Sequence, residues 1–289
     1  MFDLDAVGVG SNDEAASRRP VPLQSAMPCS RPVASLEALA DLLGVPLDVP
    51  ADMAGVEFAV RRLHAGESLC RAGEEFESLY VVRSGFLKTV SFDGTGNEQV
   101  LAFPMRGDTV GVDGFDRGHF TEDAIALDSC HIIVVPFARI AGLGRHIPRL
   151  EKIIYSIFNR ELVHRQNMVK LLGMLNAEAR VATFLLDLSE RFGRLGCSKS
   201  TFVLRMTRQE LGSYLGIKLE TVSRALSAFA ALGLMDVSRR EMVLNDVAGL
   251  RCKLESSGTK VLAPRAAQQR AGCAMPAPAR AASWPRMAA

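Results

Sequence analysis

The sequence lacks a run of about 18 apolar residues, the minimum for a membrane-spanning helix. Its first residues, MFDLDAVGVGSNDEAASRRP, lack the basic-then-apolar pattern of a secretory signal. The six cysteines are scattered from Cys29 to Cys273, and none forms a C-x-x-C pair. These absences favour a cytoplasmic protein without membrane contact, whose cysteines are free thiols.

Motifs of common enzyme classes are also missing. There is no phosphate loop, no H-E-x-x-H and no evident nucleophile motif, so the sequence favours a protein that is not an enzyme. We identify no catalytic residue and no metal-ligand group. The formal net charge is only +2. Affinity for nucleic acid would therefore have to come from a local basic patch, because the overall field is weak.

The chain has 289 residues, 48% of them apolar, which is enough for two domains. Residues 1–55 are rich in proline and serine and are expected to be mobile, apart from a short helix around Ser35–Leu43. From 56 to 147, short β-type runs are separated by glycines and end in CHIIVVPF. This pattern predicts an antiparallel sandwich or barrel of short strands.

Residues 148–175 are predicted to form one long helix, because no glycine or proline falls between Arg149 and Leu172. Two sides of it follow the three-and-four spacing of a coiled-coil seam. The first stripe contains Ile154, Ile157, Glu161, His164, Met168 and Leu171; the second contains Phe158, Leu162, Arg165, Val169 and Leu172. We expect one stripe to pack on the β-domain and the other on a second copy, giving a two-fold dimer. The alternative is one helix buried within a monomer.

Residues 176–250 carry a helix, a two-helix motif and a hairpin predicted around Arg239–Arg240. The tail, residues 256–289, is rich in alanine and proline and contains five basic residues but no acidic one. This composition predicts disorder.

The two-helix motif is MTRQELGSYLGIKLETVSRALSAF, residues 206–229. Thr207 and Glu210 have the spacing of a capping box, and Gly216 suits the left-handed position that ends a helix. In the second helix an apolar stripe is followed, about 200° away, by a polar one. The apolar stripe is Val222, Ala225, Leu226 and Phe229, and the polar stripe is Glu220, Ser223, Arg224 and Ser227. This arrangement is typical of a helix-turn-helix, whereas an ordinary amphipathic helix pair predicts neither the capping box nor the glycine turn.

The polar stripe has the chemistry needed to read double-stranded DNA. Arg224 can donate two parallel hydrogen bonds to guanine, and Glu220 can accept one from cytosine. Ser223 and Leu219 can meet a thymine methyl group. Phosphate contacts are expected at the amino end of the first helix, where backbone amides are free. The residues there are Thr207, Arg208 and Gln209.

Four stretches resemble the catabolite-activator and fumarate–nitrate-reduction family of bacterial transcription regulators, and most of all its second branch. They are GESLCRAGEEFESLYVVRSGFLKTV, NEQVLAFPMRGDTVG, NAEARVATFLLDLSERF and the two-helix motif. The resemblance extends from about Val56 to Val247. It implies an α+β fold with a cyclic-nucleotide-binding-type β-roll (56–147), a dimerisation helix (148–175) and a winged helix-turn-helix (176–250).

The resemblance places the base-reading positions on Glu220, Ser223 and Arg224. Leu219 stands where the nucleotide-sensing branch has an arginine, which implies half-sites of the TTGA type repeated as a palindrome. Lys218 replaces the usual serine or threonine cap. A lysine there opposes the helix dipole at a cost of up to about 1 kcal/mol, and we expect it to contact a DNA phosphate instead.

The signal that would control DNA binding is left open. An iron–sulfur cluster needs four thiolates, but the N-terminal segment offers only Cys29, and Ile133 rather than Cys130 falls on the ligand position of the roll. Cyclic AMP is disfavoured, because Val112 follows Gly111 in the phosphate cassette and the later stretch GHFTEDAIA contains no arginine. A redox or gas sensor that binds haem remains an alternative, with no single histidine favoured. The candidates are His64, His119, His131, His146 and His164.

A regulator that senses nothing itself is a further alternative. Arg165 lies in the second stripe, where the resembling oxygen sensor carries an acidic residue. Two such arginines would repel each other across a dimer unless each paired with the partner's Glu161, in which case no cofactor would be needed. The resemblance also implies RNA polymerase contacts from the loops Asp93–Gly96 and Asp113–Gly118.

Overall fold

The computed structural model describes residues 32–45, 55–144, 150–174 and 176–256. Cys29, His146 and the basic tail beyond Ser256 lie outside this part of the chain. The described residues form two antiparallel sheets, a long helix and a helical domain with a small third sheet. The α+β class is therefore confirmed.

The N-terminal segment contributes ordered structure over residues 32–45. Strand β1 (Val33–Ser35) pairs with β2 (Glu57–Leu63), and helix α1 (Leu36–Leu42) follows at once. The Ser35 hydroxyl caps α1 by accepting a hydrogen bond from the Ala38 amide at 3.2 Å. This matches the predicted helix but differs from the mobile segment expected for 1–55. The reason is that Leu36, Leu39 and Ala40 share one buried face of α1, which the proline and serine content of the segment obscures.

The β-roll consists of two antiparallel sheets of short strands. Besides β1 and β2 it contains β3 (Ser68–Cys70), β4 (Ser78–Ser84), β5 (Leu87–Phe92), β6 (Glu98–Ala102), β7 (Thr109–Val110), β8 (Asp123–Ala126) and β9 (Cys130–Pro136). One sheet has the order β1-β2-β9-β4-β7 and the other has the order β3-β8-β5-β6. Within the described residues, β6 is therefore an outer strand of its sheet.

Aromatic side chains fill the roll next to a turn at Gly111. Gly111 has a φ of 93°, and a side chain there would come within 2.9 Å of the Phe120 ring. Phe120 in turn contacts Phe76 and Tyr80, with ring centroids 5.6 and 6.0 Å apart. Glycine is therefore required at this position both for its backbone conformation and for space.

The helices after the roll are α2 (Phe137–Gly144), α3 (Leu150–Met174), α4 (Ala177–Arg194), α5 (Arg208–Leu215), α6 (Leu219–Ala231) and α7 (Val247–Ser256). A three-stranded sheet of order β10-β12-β11 accompanies them, formed by β10 (Thr201–Val203), β11 (Met235–Ser238) and β12 (Glu241–Leu244). On α3, Ile153 and Ile157 are buried in the core that α1 shares with the roll. No helix in the described ranges has the length and apolar character to cross a membrane.

Candidate nucleic-acid interface

Helix α5 begins with a complete capping box. The Thr207 hydroxyl accepts from the Glu210 amide at 3.1 Å, and the Glu210 carboxylate accepts from the Thr207 amide at 2.7 Å. The helix ends at Gly216, which has a φ of 62°. The cap and the turn predicted from the sequence are both confirmed, and together they fix where α6 starts.

Helix α6 is amphipathic in the predicted sense. Its apolar stripe is fully buried: Val222, Ala225, Leu226 and Phe229. On the opposite side Glu220, Arg224 and Ser227 are exposed, and Ser223 is half-buried. A polar face of this composition is therefore presented outward on a helix that is held from behind by its core.

The structure brings the two groups of predicted contact residues together. An Arg208 guanidinium nitrogen, at the start of α5, donates to the Ser223 hydroxyl at 3.3 Å, so a residue predicted to contact phosphate adjoins one predicted to contact a base. Arg224 donates to the Thr221 hydroxyl at 3.3 Å. Thr221 was missed by the sequence reasoning, although its position three residues before Arg224 is the signal that predicts such a contact.

Lys218 is the N-cap of α6 and provides no side-chain cap. Its backbone is extended, and no side-chain hydrogen bond reaches the first turn of the helix. Its side chain is exposed, as are those of Thr207, Arg208 and Gln209. The outer surface at this end of the motif therefore carries two cations, Arg208 and Lys218.

The predicted hairpin is formed by β11 and β12, with Arg239 and Arg240 in its turn. Arg239 has a φ of 55°, a left-handed conformation that favours glycine or asparagine. A guanidinium nitrogen of Arg240 donates to the Arg205 carbonyl at 3.4 Å, two residues before Thr207. The hairpin turn therefore lies beside the amino end of α5 and adds positive charge there.

The β-roll also reaches this site through Lys88. Its ammonium lies 2.7 Å from a Glu98 oxygen and 3.1 Å from a Glu210 oxygen. Burial alone would lower the pKa of Lys88, but the hydrogen bonds to the two glutamates raise it. Burial would raise the pKa of Glu210, but its bonds to Thr207 and Lys88 lower it. The capping carboxylate is therefore held in its charged form.

The second stripe of α3 is largely exposed along one side. Leu162 is 56% and Val169 is 71% exposed, with Leu172 and Tyr155 also open to solvent. Phe158 is half-buried, its ring 5.2 Å from that of Phe115. Tyr155 extends the predicted stripe by one position at its amino end, so six residues follow the alternating three-and-four spacing.

Arg165 has two counter-charges within its own chain. It pairs with Glu161 of α3 at 2.6 Å and with Glu122 of the roll at 3.0 Å, whereas the sequence reasoning considered only the partner's Glu161. Glu122 was not anticipated because it is 43 residues away in sequence. Burial and the nearby Asp113 raise the pKa of Glu122, while Arg165 opposes that rise. The charge of Arg165 is thereby offset by carboxylates of its own chain.

The described cysteines do not fit an iron–sulfur cluster. Cys70 and Cys130 are buried in the roll, and burial raises the pKa of Cys70 to about 12 and that of Cys130 to about 11. Ile133 is fully buried in the apolar core beside α1. Cys197 and Cys252 are exposed in the C-terminal domain. Within the described residues, no three histidines, cysteines or carboxylates are grouped to hold a metal ion.

The segment after Gly111 does not fit the phosphate of a cyclic nucleotide. Asp113 accepts hydrogen bonds from the Thr121 amide and hydroxyl at 2.6 and 2.8 Å. Glu122 is paired with Arg165, and Asp123 accepts from the Ala72 amide at 2.7 Å. Three carboxylates therefore crowd this side of the roll, where they would repel a phosphate.

The described histidines are distributed over separate elements. A ring nitrogen of His119 is 3.0 Å from the Arg117 carbonyl, and one of His131 is 3.1 Å from the Ser84 hydroxyl. His64 lies after β2, and His164 lies on α3 with a buried ring nitrogen that has no hydrogen-bond partner.

Two family models match the chain. The Crp-like helix-turn-helix domain matches residues 179–253, and the cyclic nucleotide-binding domain matches residues 60–145. These ranges coincide with the helical domain and with the roll. The second match therefore describes the fold of the roll, whose carboxylates make it a poor site for a nucleotide phosphate.

Curated relatives match over most of their length. The chain is 35% identical to the transcriptional regulatory protein btr of Bordetella pertussis, over 72% of this chain and 87% of that protein. It is 38% identical to the transcriptional activator protein FnrA of Stutzerimonas stutzeri, over 69% of this chain and 83% of that protein.

A solved structure shows the same architecture. FixK2 from Bradyrhizobium japonicum superimposes with a TM-score of 0.61 at 27% identity, covering 68% of this chain and 96% of that one. The sequence similarity, the fold and the exposed polar face of α6 thus point to the same family. The chain belongs to the CRP/FNR family of transcriptional regulators, with a helix-turn-helix DNA-binding domain after its β-roll.

Proposed function

We propose that the chain binds DNA as a homodimer and reads a palindrome of TTGA-type half-sites through Glu220, Ser223 and Arg224. The observation that carries this proposal is the outward polar face of α6, backed by a fully buried apolar stripe. A helix held in this way can enter the major groove without losing its core contacts. Arg224 is the guanine contact, because a guanidinium pairs with two acceptors of that base at once.

The neighbouring residues would hold the sugar–phosphate backbone. Thr207, Arg208 and Gln209 surround the amino end of α5, where the helix dipole and free amides favour an anion. Lys218 adds a cation at the start of α6. The contact between Arg208 and Ser223 supports this division of roles, because it places the backbone group directly beside the base-reading group.

The dimer would form along the exposed stripe of α3. The alternating spacing from Tyr155 to Leu172 is that of a two-stranded seam, and Tyr155, Leu162 and Val169 are mostly exposed. Arg165 interrupts this seam, but its charge is offset by Glu161 and Glu122 of the same subunit. Repulsion between the two arginines of a dimer would therefore be weak, so no cofactor is needed to bring the subunits together.

Contact with RNA polymerase belongs to the same proposal. The turn Asp93–Gly96 projects from the β5–β6 hairpin and is exposed. Asp93 accepts hydrogen bonds from the Thr95 and Asn97 amides, both at 2.9 Å, which gives the turn a defined shape. The loop Asp113–Gly118 is the second candidate surface.

The proposal is tested by selecting bound sequences from random duplex DNA, with and without oxygen. We expect an inverted repeat of TTGA-type half-sites under both conditions, and a dimer by sedimentation at micromolar concentration. An absorption spectrum of protein purified without oxygen accompanies the selection. A single half-site, a monomer or a coloured protein whose binding depends on oxygen would contradict the proposal.

Arg224→Ala tests the base assignment directly. We expect the selected site to bind about 5- to 150-fold more weakly, corresponding to roughly 1–3 kcal/mol, and the preference at the guanine to relax. Arg62→Ala is the matched control, because it removes an exposed arginine from β2, far from the helix-turn-helix in sequence. Equal weakening of all sequences by Arg224→Ala would show that this arginine contacts only the backbone.

A further inference from the structure

The helix-turn-helix is packed onto its own β-roll by a continuous apolar core. Phe86, Val90, Val100, Phe103 and Met105 of the roll belong to the same buried cluster as the cores of α4, α5 and α6. The Phe103 ring lies 5.1 Å from Tyr214 on α5 and 6.1 Å from Phe184 on α4. The position of the DNA-binding domain is therefore defined by contacts within one chain.

Helix α5 covers the open edge of strand β6. The Val100 amide donates to the Ser213 hydroxyl at 2.9 Å, and this hydroxyl donates to the Glu98 carbonyl at 3.3 Å. The Gln99 side-chain amide donates to the Ser213 carbonyl. An outer strand leaves alternate backbone groups unpaired, so α5 satisfies groups that would otherwise be free. The register of α5 along the roll is thereby specified.

Lys88 fixes the amino end of the same helix. It bridges Glu98 on β6 and Glu210 on α5, and only 12% of its side chain is exposed, with 17% for Glu210. Glu210 uses its other oxygen for the Thr207 amide and hydroxyl, at 2.7 and 2.9 Å. A charge-assisted bridge from the roll therefore ends on the carboxylate that closes the capping box.

The docked arrangement leaves the DNA-facing residues free. Glu220 and Arg224 on α6 are exposed while Lys88 holds Glu210, and so are Thr207 and Arg208. The Arg208 contact to Ser223 then links the first turn of α5 to the face of α6. The bridge between Lys88 and Glu210 is thus compatible with DNA binding. It positions the capping box of α5, and the Arg208–Ser223 contact connects that end of α5 to the polar side of α6.

We propose that Lys88 is a positioning residue for DNA binding. Through Glu210 it orients the first turn of α5, and with it the phosphate-binding residues and α6, on the roll. Lys88 itself touches no DNA in this scheme. The proposal rests on the proposed function, since it assigns a further residue to the same DNA-binding site.

The test compares full-length Lys88→Met with Lys88→Arg and with Lys170→Met, which removes one exposed cation from α3. Affinity is measured by fluorescence anisotropy for the selected palindrome and for random duplex DNA, at several salt concentrations. Lys88→Met should bind the palindrome about tenfold more weakly, as expected for the loss of one charge-assisted contact. Its salt slope should stay unchanged, because Lys88 itself contacts no phosphate and the same cations still face the DNA. Its affinity for random DNA should fall less than its affinity for the palindrome, because only the placement of those cations changes. Lys88→Arg should recover most of the loss, and Lys170→Met should behave as the native protein.

A double-variant cycle with Glu210→Gln tests whether Lys88 acts through Glu210. Because both changes break the same bridge, the losses of Lys88→Met and Glu210→Gln should not add in the double variant. Glu98→Gln is the milder alternative if Lys88→Met does not fold, and it should produce a smaller loss of the same kind. Additive losses, tighter binding by Lys88→Met or a changed salt slope would overturn the proposal.

Hydrogen exchange of the native protein and Lys88→Met, without DNA, separates this proposal from the proposed function. We expect faster exchange in a peptide covering the first turn of α5, residues 206–211, and little change in α6. That result would support the bridge even if no palindrome were selected. Unchanged exchange in residues 206–211 would overturn it, even if the palindrome were found.

Discussion

The two helices of the DNA-binding motif differ in how their amino ends are stabilised. Helix α5 begins with a complete capping box, is bridged to the roll by Lys88 and covers the edge of β6. Helix α6 begins at Lys218 with no side-chain cap and presents its polar side outward. The first helix is therefore stabilised at its end and by the roll, whereas the second is stabilised mainly by its buried stripe.

This difference follows from what each helix has to contact. The first turn of α5 needs a fixed geometry, because the predicted phosphate contacts depend on backbone amides. The first turn of α6 faces the predicted DNA surface, where a lysine adds attraction for phosphate but opposes the helix dipole. The amino end of α6 is thus less stabilised because it lacks a side-chain cap, whereas the amino end of α5 is stabilised by its capping box.

The largest expected effect comes from removing the buried support of α6. Phe229→Ala should lower the free energy of unfolding by about 3–5 kcal/mol, because it leaves a cavity in the shared core. Urea or thermal denaturation measures this loss. Leu232→Ala is the matched control, since Leu232 follows the same helix and is 55% exposed. Similar small losses in both variants would show that α6 does not depend on its buried stripe.

An intermediate effect is expected at the cap of α5. Thr207→Ala removes the acceptor for the Glu210 amide and should cost about 1 kcal/mol of stability. Thr201→Ala serves as the control, because Thr201 is an exposed threonine in β10, and its loss should stay within about 0.5 kcal/mol. If the two variants unfold at the same denaturant concentration, the capping box does not distinguish α5 from α6.

The smallest expected effect is a gain, at the start of α6. Lys218→Ser supplies the missing cap and should stabilise the protein by up to about 1 kcal/mol. Loss of one phosphate contact should also reduce the slope of log affinity against log salt by about 0.9. Lys170→Ser, on the exposed side of α3, should leave the slope as it is. An unchanged slope in Lys218→Ser would remove this lysine from the predicted DNA surface.

The helix-turn-helix was predictable because its signals are local. A cap three residues from its partner, a glycine at a helix end and two stripes of fixed spacing are all contained within residues 206–229. The structure confirms the capping box, the left-handed Gly216 and the buried stripe of α6. The exposure of Glu220 and Arg224 agrees with the same reasoning, and their contact with DNA stays a prediction.

Other features were not predictable from the sequence because they depend on residues far apart in the chain. The sequence reasoning considered only the partner's Glu161 as a counter-charge for Arg165, whereas Glu122 of the roll and Glu161 of its own helix pair with it within the chain. The helix around Ser35–Leu43 was predicted, but the strand before it was not: β1 adds to the roll, and α1 packs into its core. Neither a salt bridge over 43 residues nor an added edge strand leaves a periodic signal.

Residue spacing by itself determined the short strands of the roll, the two helices of the motif and the face of α6 that points outward, because these depend on patterns within one helix or strand. The resemblance of four sequence stretches to a known family indicated the class of the protein and the order of its parts. Only the tertiary structure decided how the helix-turn-helix sits on the roll. Lys88 and Glu210 are separated by 122 positions, and their bridge exists only because β5 and α5 pack together. Local side-chain patterns determine which segments form helices and strands, whereas the packing of distant segments determines which side chains pair with each other.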